Sequence, residues 1–279
     1  MKKGNEKNDT NEGYDQLAQE IVQEYYSEGE IVDPLELARC FDIEVRAGNY
    51  EEHFRGLVRY VEHRFKIYLN LDILFKPDSE MGRFTCAHEL GHTIIPSHRK
   101  ELMKGNSLAS TSGSTHFKST NNSLKEIELQ AQSFAASLLM PKDWFINYCL
   151  TNSLSLKSLY EDITTIFNTS FTSCVVRYIK LNLGKSVFIR VGKTLWQEQS
   201  NSFRGLYDGR IYFTYNPNRN RIAVQSNTLE IGGYKYEVSY VNISSWTTNI
   251  PAGSKADMLV KEEIIITGNY IYSLLTVES

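Results

Sequence analysis

Two histidines four residues apart with a glutamate beside the first, in His88-Glu89-Leu90-Gly91-His92, carry the strongest chemical signal in this chain. On an α-helix, positions i and i+4 share one face about a turn apart, so both imidazoles can reach a single ion. Zinc suits such nitrogen donors. Glu89 lies about a third of a turn from His88. There its carboxylate can hydrogen-bond a metal-held water instead of binding the metal, and serve as general base in peptide-bond hydrolysis. The plainer reading is two solvated histidines on an amphipathic helix. A catalytic zinc needs a third protein ligand and an open position, so the choice turns on whether the chain supplies one.

A candidate lies in the next strongly periodic segment. Leu124, Ile127, Ala131, Phe134, Ala135 and Leu138 make an apolar helical stripe, and Glu128 falls inside it. Glu126 instead shares a polar face with Gln130, Ser133 and Ser137. A carboxylate turned toward a core is costly unless paired. A zinc ion would be a sufficient partner, and an ion pair with Arg83 or Arg177 is the alternative. Gln132, four residues after Glu128, could orient a ligand through its amide or be a plain surface residue. His98 and His116, in a polar stretch, are candidate transition-state donors, while His53 and His63 offer less.

These side chains need helices to carry them. Arg83–Ile95 reads as an apolar-faced helix stopped by Pro96, and Ser123-Leu124-Lys125-Glu126 reads as a capping box opening a helix to Met140, ended by Pro141. Between them, 97–122 is rich in Ser, Thr, Gly, Asn and Lys, the composition of a long loop or flap. Upstream, residues 1–13 are polar and predict a disordered tail. Leu17, Ile21 and Tyr25 then predict a helix, and Asp33-Pro34 opens a second that ends before Phe41. Ile43–Asn70 alternates like a small sheet. Residues 153–181 predict two helices around Phe167-Asn168-Thr169. From Ser186 the chain is β-rich, with strands expected at Val187–Ile189, Ile211–Phe213, Ile222–Val224, Tyr234–Val241, Ile264–Thr267 and Tyr270–Leu274. Its aromatics, among them Trp196, Tyr207, Tyr212, Tyr215, Tyr240 and Trp246, suit a sandwich or barrel core.

The 279 residues, 41% of them hydrophobic, suffice for one large domain or two modest ones. A formal charge of −3 gives no broad basic field, which argues against sequence-independent attraction to nucleic acid or anionic membrane. Four scattered cysteines, Cys40, Cys86, Cys149 and Cys174, read as reduced thiols. With no apolar leader and no membrane-length run, the expected location is cytoplasmic.

Arg83–His92 together with Glu128–Pro141 resembles the ImmA/IrrE family of zinc metallopeptidases. The likeness extends upstream through Asp33–Ala38 and Ile67–Asn70 and downstream to the helices ending near Arg177, covering roughly 14–182. The resemblance implies an α+β, gluzincin-like peptidase domain with His88, His92 and Glu128 as zinc ligands and Glu89 catalytic. It also implies a substrate: a helix-turn-helix transcriptional repressor whose cleavage releases mobile-element or stress-response genes. Two departures stand out, Ala131-Gln132 where the family usually has Ala-Asn, and a long polar stretch between His92 and Glu128. The organisation expected is a tail at 1–13, a zinc metallopeptidase domain at 14–150, a helix-turn-helix-like region at 151–183 and a β-rich domain of unassigned role at 184–279. Direct DNA binding is not expected, because the second helix of the pair offers only Arg177 and Lys180. The alternative function is a repressor-binding regulator of peptidase ancestry that does not cut, or cuts only on a signal.

Overall fold

The computed structural model describes residues 11–51, 53–105, 122–152, 154–207, 209, 211–214, 233–247, 250 and 258–278. In chain order its elements are helices α1 (Asn11–Tyr25) and α2 (Pro34–Cys40), strands β1 (Glu44–Gly48), β2 (Gly56–Val61) and β3 (Arg64–Asn70), and helices α3 (Leu71–Leu74), α4 (Glu80–Ile94), α5 (Pro96–Met103), α6 (Asn122–Leu139) and α7 (Lys142–Thr151). Then come α8 (Leu156–Ser158), a π-helical turn at Leu159–Ile163, α9 (Thr164–Phe167), α10 (Phe171–Lys180), β4 (Ser186–Val191), β5 (Leu195–Gln199) and α11 (Asn201–Arg204). β6 (Lys235–Asn242), a 3-10 turn at Ile243–Ser245, β7 (Leu259–Ile266) and β8 (Ile271–Thr276) complete the described chain. The chain divides into two compact units, residues 1–148 with 164–170, and 149–163 with 171–279.

In the first unit a three-stranded sheet of order β1-β3-β2, with β1 parallel and β2 antiparallel to β3, packs on α4. β3 buries Phe65, Ile67 and Leu69 in strict alternation, which fixes its register against the core. α1 turns Tyr14, Ala18, Ile21 and Val22 inward against α6. Its first described turn begins at Asn11, so residues 11–13 are helical and not part of a tail; residues 1–10 lie outside the described residues. α4 departs from the expected amphipathic helix, because nearly every residue from Gly82 to Thr93 is buried. It is an interior helix, wrapped by α2, α5, α6, β2 and β3.

Pro96 ends α4 as expected, and it also starts α5. Ile95 takes an extended conformation, as a residue before proline prefers, and Pro96 occupies the first turn of the next helix, where its missing N–H costs nothing. Residues 96–103 are therefore helical where a loop was expected; 106–121, the rest of that stretch and the position of His116, lie outside the described residues. α5 is pinned by Arg99, which donates to the Thr93 carbonyl (3.0 Å) and lies over the Phe65 ring.

The second unit is built on an antiparallel five-stranded sheet of order β5-β4-β8-β7-β6. One face buries Val187, Ile189, Val260, Ile264 and Leu275 with Phe203, Tyr207, Ile211, Phe213 and Trp246. On the other, Phe171 of α10 meets Phe188 and Tyr272 edge-on. Ile211 and Phe213 are buried, but the segment is not a strand. Its backbone N–H groups at 211 and 213 donate to the side-chain amide oxygens of Gln199 and Gln197 on β5, which replace a strand partner. β5 and α11 were not expected. Ile222–Val224 and Tyr215 fall outside the described residues. Tyr207 and Trp246 are core residues, whereas Tyr212 and Tyr240 are exposed.

Candidate metal centre

α4 starts where Ser79 caps it, its hydroxyl accepting from the Gly82 N–H at 3.0 Å. Two turns on, the i, i+4 spacing brings His88 Nε2 and His92 Nε2 to 3.2 Å, both rings buried. α6 crosses against α4 and delivers Glu128, with Oε2 3.3 Å from His88 Nε2 and Oε1 3.5 Å from His92 Nε2. A tetrahedral ion with bonds of about 2.0–2.1 Å requires donors about 3.3 Å apart. The two imidazole nitrogens and the two carboxylate oxygens are spaced on that scale, and among the described residues His88, His92 and Glu128 are the group that could hold a metal ion. The Glu128 side chain is 30% exposed while His92 is wholly buried, so the donors converge at the edge of the core, within reach of solvent.

The charge states suit an ion. Burial pushes the His92 imidazole down to about 4, against the contrary pull of the Glu128 carboxylate. Burial acts to raise Glu128, but the adjacent His88 and His92 rings outweigh it and hold the carboxyl at about 2. The two directions conflict over their shared contact, since a low Glu128 favours a charged His92. With the ring entirely enclosed, desolvation governs, and at neutral pH a carboxylate faces a neutral imidazole, the forms that bind metal.

The contacts of Glu128 are with His88 and His92, and the Arg83 alternative is not needed. Arg83 spends its guanidinium on carbonyls, Nη2 to Val32 at 2.6 Å and Nε to Asn168 at 3.3 Å. Glu89 is fully buried beside Gly56, the first residue of β2. A Cβ at position 56 would stand 2.7 Å from Glu89 Oε1 and 2.5 Å from Thr85 Cγ2, so this glycine leaves the space the carboxylate occupies. Asn70 secures that approach. Its side chain donates to the carbonyls of Glu51 and Phe54 and accepts from the N–H groups of Tyr50 and Asp72, bracing the turn before β2. Gly91 does the corresponding service between helices, since a Cβ there would lie 2.9 Å from Phe134 Cδ1 on α6.

Other candidates fall elsewhere. Gln132 and Glu126 are exposed, as are His53 and His63. His98, considered as a transition-state donor, is buried on α5 behind His92: its Nδ1 is 3.1 Å from His92 Nδ1, and its Nε2 is 2.8 Å from Gln130 Oε1. Gln130, placed on a polar face from its spacing, is half-buried in this contact. Ser137, assigned to the same face, is buried and donates to Asp15 of α1 at 2.6 Å. The signal for His98 was the Pro96 restart, which reverses the chain within six residues of His92.

Fold and site together define a mixed α+β protein with a buried HExxH helix and a His-His-Glu group able to hold a metal ion, followed by a β-rich region. Residues 38–173 match the model of Peptidase_M78, described as the IrrE N-terminal-like domain. Over 150 residues, 53% of this chain and 84% of the relative, the sequence is 25% identical to "Uncharacterized immunity region protein 2" of Bacillus phage phi105. A solved structure titled "Mycobacterium tuberculosis transcriptional regulator" shares the fold with a TM-score of 0.53 at 13% identity, covering 97% of this chain and 89% of that one. No helix among the described residues is long and apolar enough to cross a membrane.

Proposed function

We propose that this protein is a gluzincin-like zinc endopeptidase that hydrolyses a peptide bond in a regulatory protein in the cytoplasm. His88, His92 and Glu128 hold the ion and Glu89 is the general base. The observation that carries the reading is the convergence of His88 Nε2, His92 Nε2 and the Glu128 carboxylate at contacts of 3.2, 3.3 and 3.5 Å, with Glu89 next to His88 in the chain. A bound zinc ion supplies Lewis-acid polarisation of the scissile carbonyl and acidifies water. Glu89 takes the proton from the attacking water and delivers it to the departing amine nitrogen. Its burial beside Gly56 holds the carboxylate in one place and keeps bulk water from competing for it.

The substrate we assign is a helix-turn-helix transcriptional repressor, so that cleavage releases mobile-element or stress-response genes. The phage immunity-region relative and the regulator of similar fold support that direction. In this reading residues 14–150 act as the peptidase, 151–183 as a helical spacer, and 184–279 as a domain that receives a signal or docks the substrate. The test is incubation of the zinc-loaded protein with repressors encoded beside it. Cleavage abolished by Glu89→Gln supports the enzyme. Derepression that persists unchanged in Glu89→Gln supports instead a regulator that binds the repressor without cutting it.

A further inference from the structure

We propose that His98 is a positioning residue that fixes the tautomer of His92, with Gln130 as the anchor that sets the direction of the chain; this rests on the metal-site reading above. His92 has two ring nitrogens with different surroundings. Nε2 faces His88 Nε2 and Glu128 Oε1, while Nδ1 faces His98 Nδ1 at 3.1 Å. His98 Nε2 in turn lies 2.8 Å from Gln130 Oε1.

Donor and acceptor rules order this chain from its outer end. An amide oxygen only accepts, so His98 Nε2 carries the hydrogen. A neutral imidazole has one N–H, so His98 Nδ1 presents a lone pair and accepts from His92 Nδ1–H. His92 Nε2 is then left with its lone pair turned toward the Glu128 carboxylate and the His88 ring. Two acceptors facing each other at 3.5 Å are unfavourable without a cation between them, and are the arrangement a metal requires. Turning the Gln130 amide over would reverse every bond and put a hydrogen on His92 Nε2, where no metal could bind.

The anchor belongs to the same helix as the third ligand. α6 presents Glu128 to the front of the His92 ring and Gln130, two residues on, to the partner behind it. One helix displacement therefore moves ligand and tautomer anchor together. With His92 and His98 both buried, water does not replace the missing partner when one is removed.

Zinc affinity of the full chain, measured by competition with a chromophoric chelator, separates this role from simple packing. His98→Ala is expected to weaken binding by about 10- to 100-fold. His98→Asn, whose Oδ1 can accept in place of Nδ1, is expected to recover most of that loss, and Gln130→Ala to weaken binding in the same direction. Unchanged affinity in His98→Ala or Gln130→Ala, or an Asn variant as weak as Ala, overturns the proposal while wild-type zinc binding leaves the site reading intact. A wild type that takes up no zinc overturns both. Nitrogen-15 NMR of histidine-labelled, zinc-loaded wild type needs no variant: we expect protons on His92 Nδ1 and His98 Nε2, and a proton on His98 Nδ1 refutes the assignment.

Discussion

Glu89 and Gly56 are the residue pair on which the proposed chemistry depends most closely. Glu89→Gln keeps size and shape but removes the base, so the expected outcome is retained zinc affinity with cleavage lowered at least about 100-fold, read from parallel zinc titration and turnover assays. Gly56→Ala tests the space around it. The added methyl would sit 2.7 Å from the carboxylate oxygen and 2.5 Å from Thr85, so overpacking should cost about 1–3 kcal/mol in denaturant unfolding and displace Glu89, lowering turnover without lowering zinc affinity. The juxtaposition of His88, His92 and Glu128 could be read from sequence because helical spacing maps directly onto a face. Gly56 could not, since it lies far from Glu89 in the chain and meets it only once β2 has paired with β3 and packed on α4. Gln132 stood on the expected face of α6, yet that face is exposed at its position, and the amide that matters belongs to Gln130.

The proposed metal centre requires α4 and α6 to lie close, and Gly91 permits that approach. Gly91→Ala should drive the new methyl into Phe134, loosen the helix pair and lower both stability, by about 1–3 kcal/mol, and zinc affinity. Combining it with Phe134→Leu should give back part of the stability, a coupling that a double-mutant cycle would reveal. The periodicity of α6 announced its buried stripe, and alternation announced β3, because each has one face inward. α4 gave a weaker pattern since it is buried all round, and α5 gave none, its polar composition hiding a helix held by Arg99 and His98. In the C-terminal unit, strands with continuous apolar runs such as β4 and β8 were legible. Ile211–Phe213 was misread as a strand because burial and β-branching there serve a segment bonded to glutamine side chains.

For the molecule as a whole, the His-His-Glu group ties folding to pH and to metal. The His92 ring is held neutral by burial, its value dropping from 6.5 to about 4 on folding. A lowered value means the unfolded chain binds the proton more readily. The contribution is therefore complete above pH 6.5 and lost as pH falls through about 4, on the order of 3 kcal/mol for the metal-free protein. Glu128, lowered to about 2, adds a loss of the same sign between 4.5 and about 2. Chemical unfolding of the metal-free chain across this range should show falling stability on acidification, and His92→Gln should flatten the upper part of the curve. Zinc at about 100 times its dissociation constant should add about 2.7 kcal/mol, removed by chelator.

The most direct test is the zinc content of purified protein after metal loading and desalting, compared across wild type, Glu89→Gln and Glu128→Ala. The account predicts one tightly held ion per chain in wild type and in Glu89→Gln, and loss of that ion in Glu128→Ala with the fold retained by circular dichroism. A wild type that holds no zinc, or a Glu128→Ala protein that holds it as tightly as wild type, would contradict it.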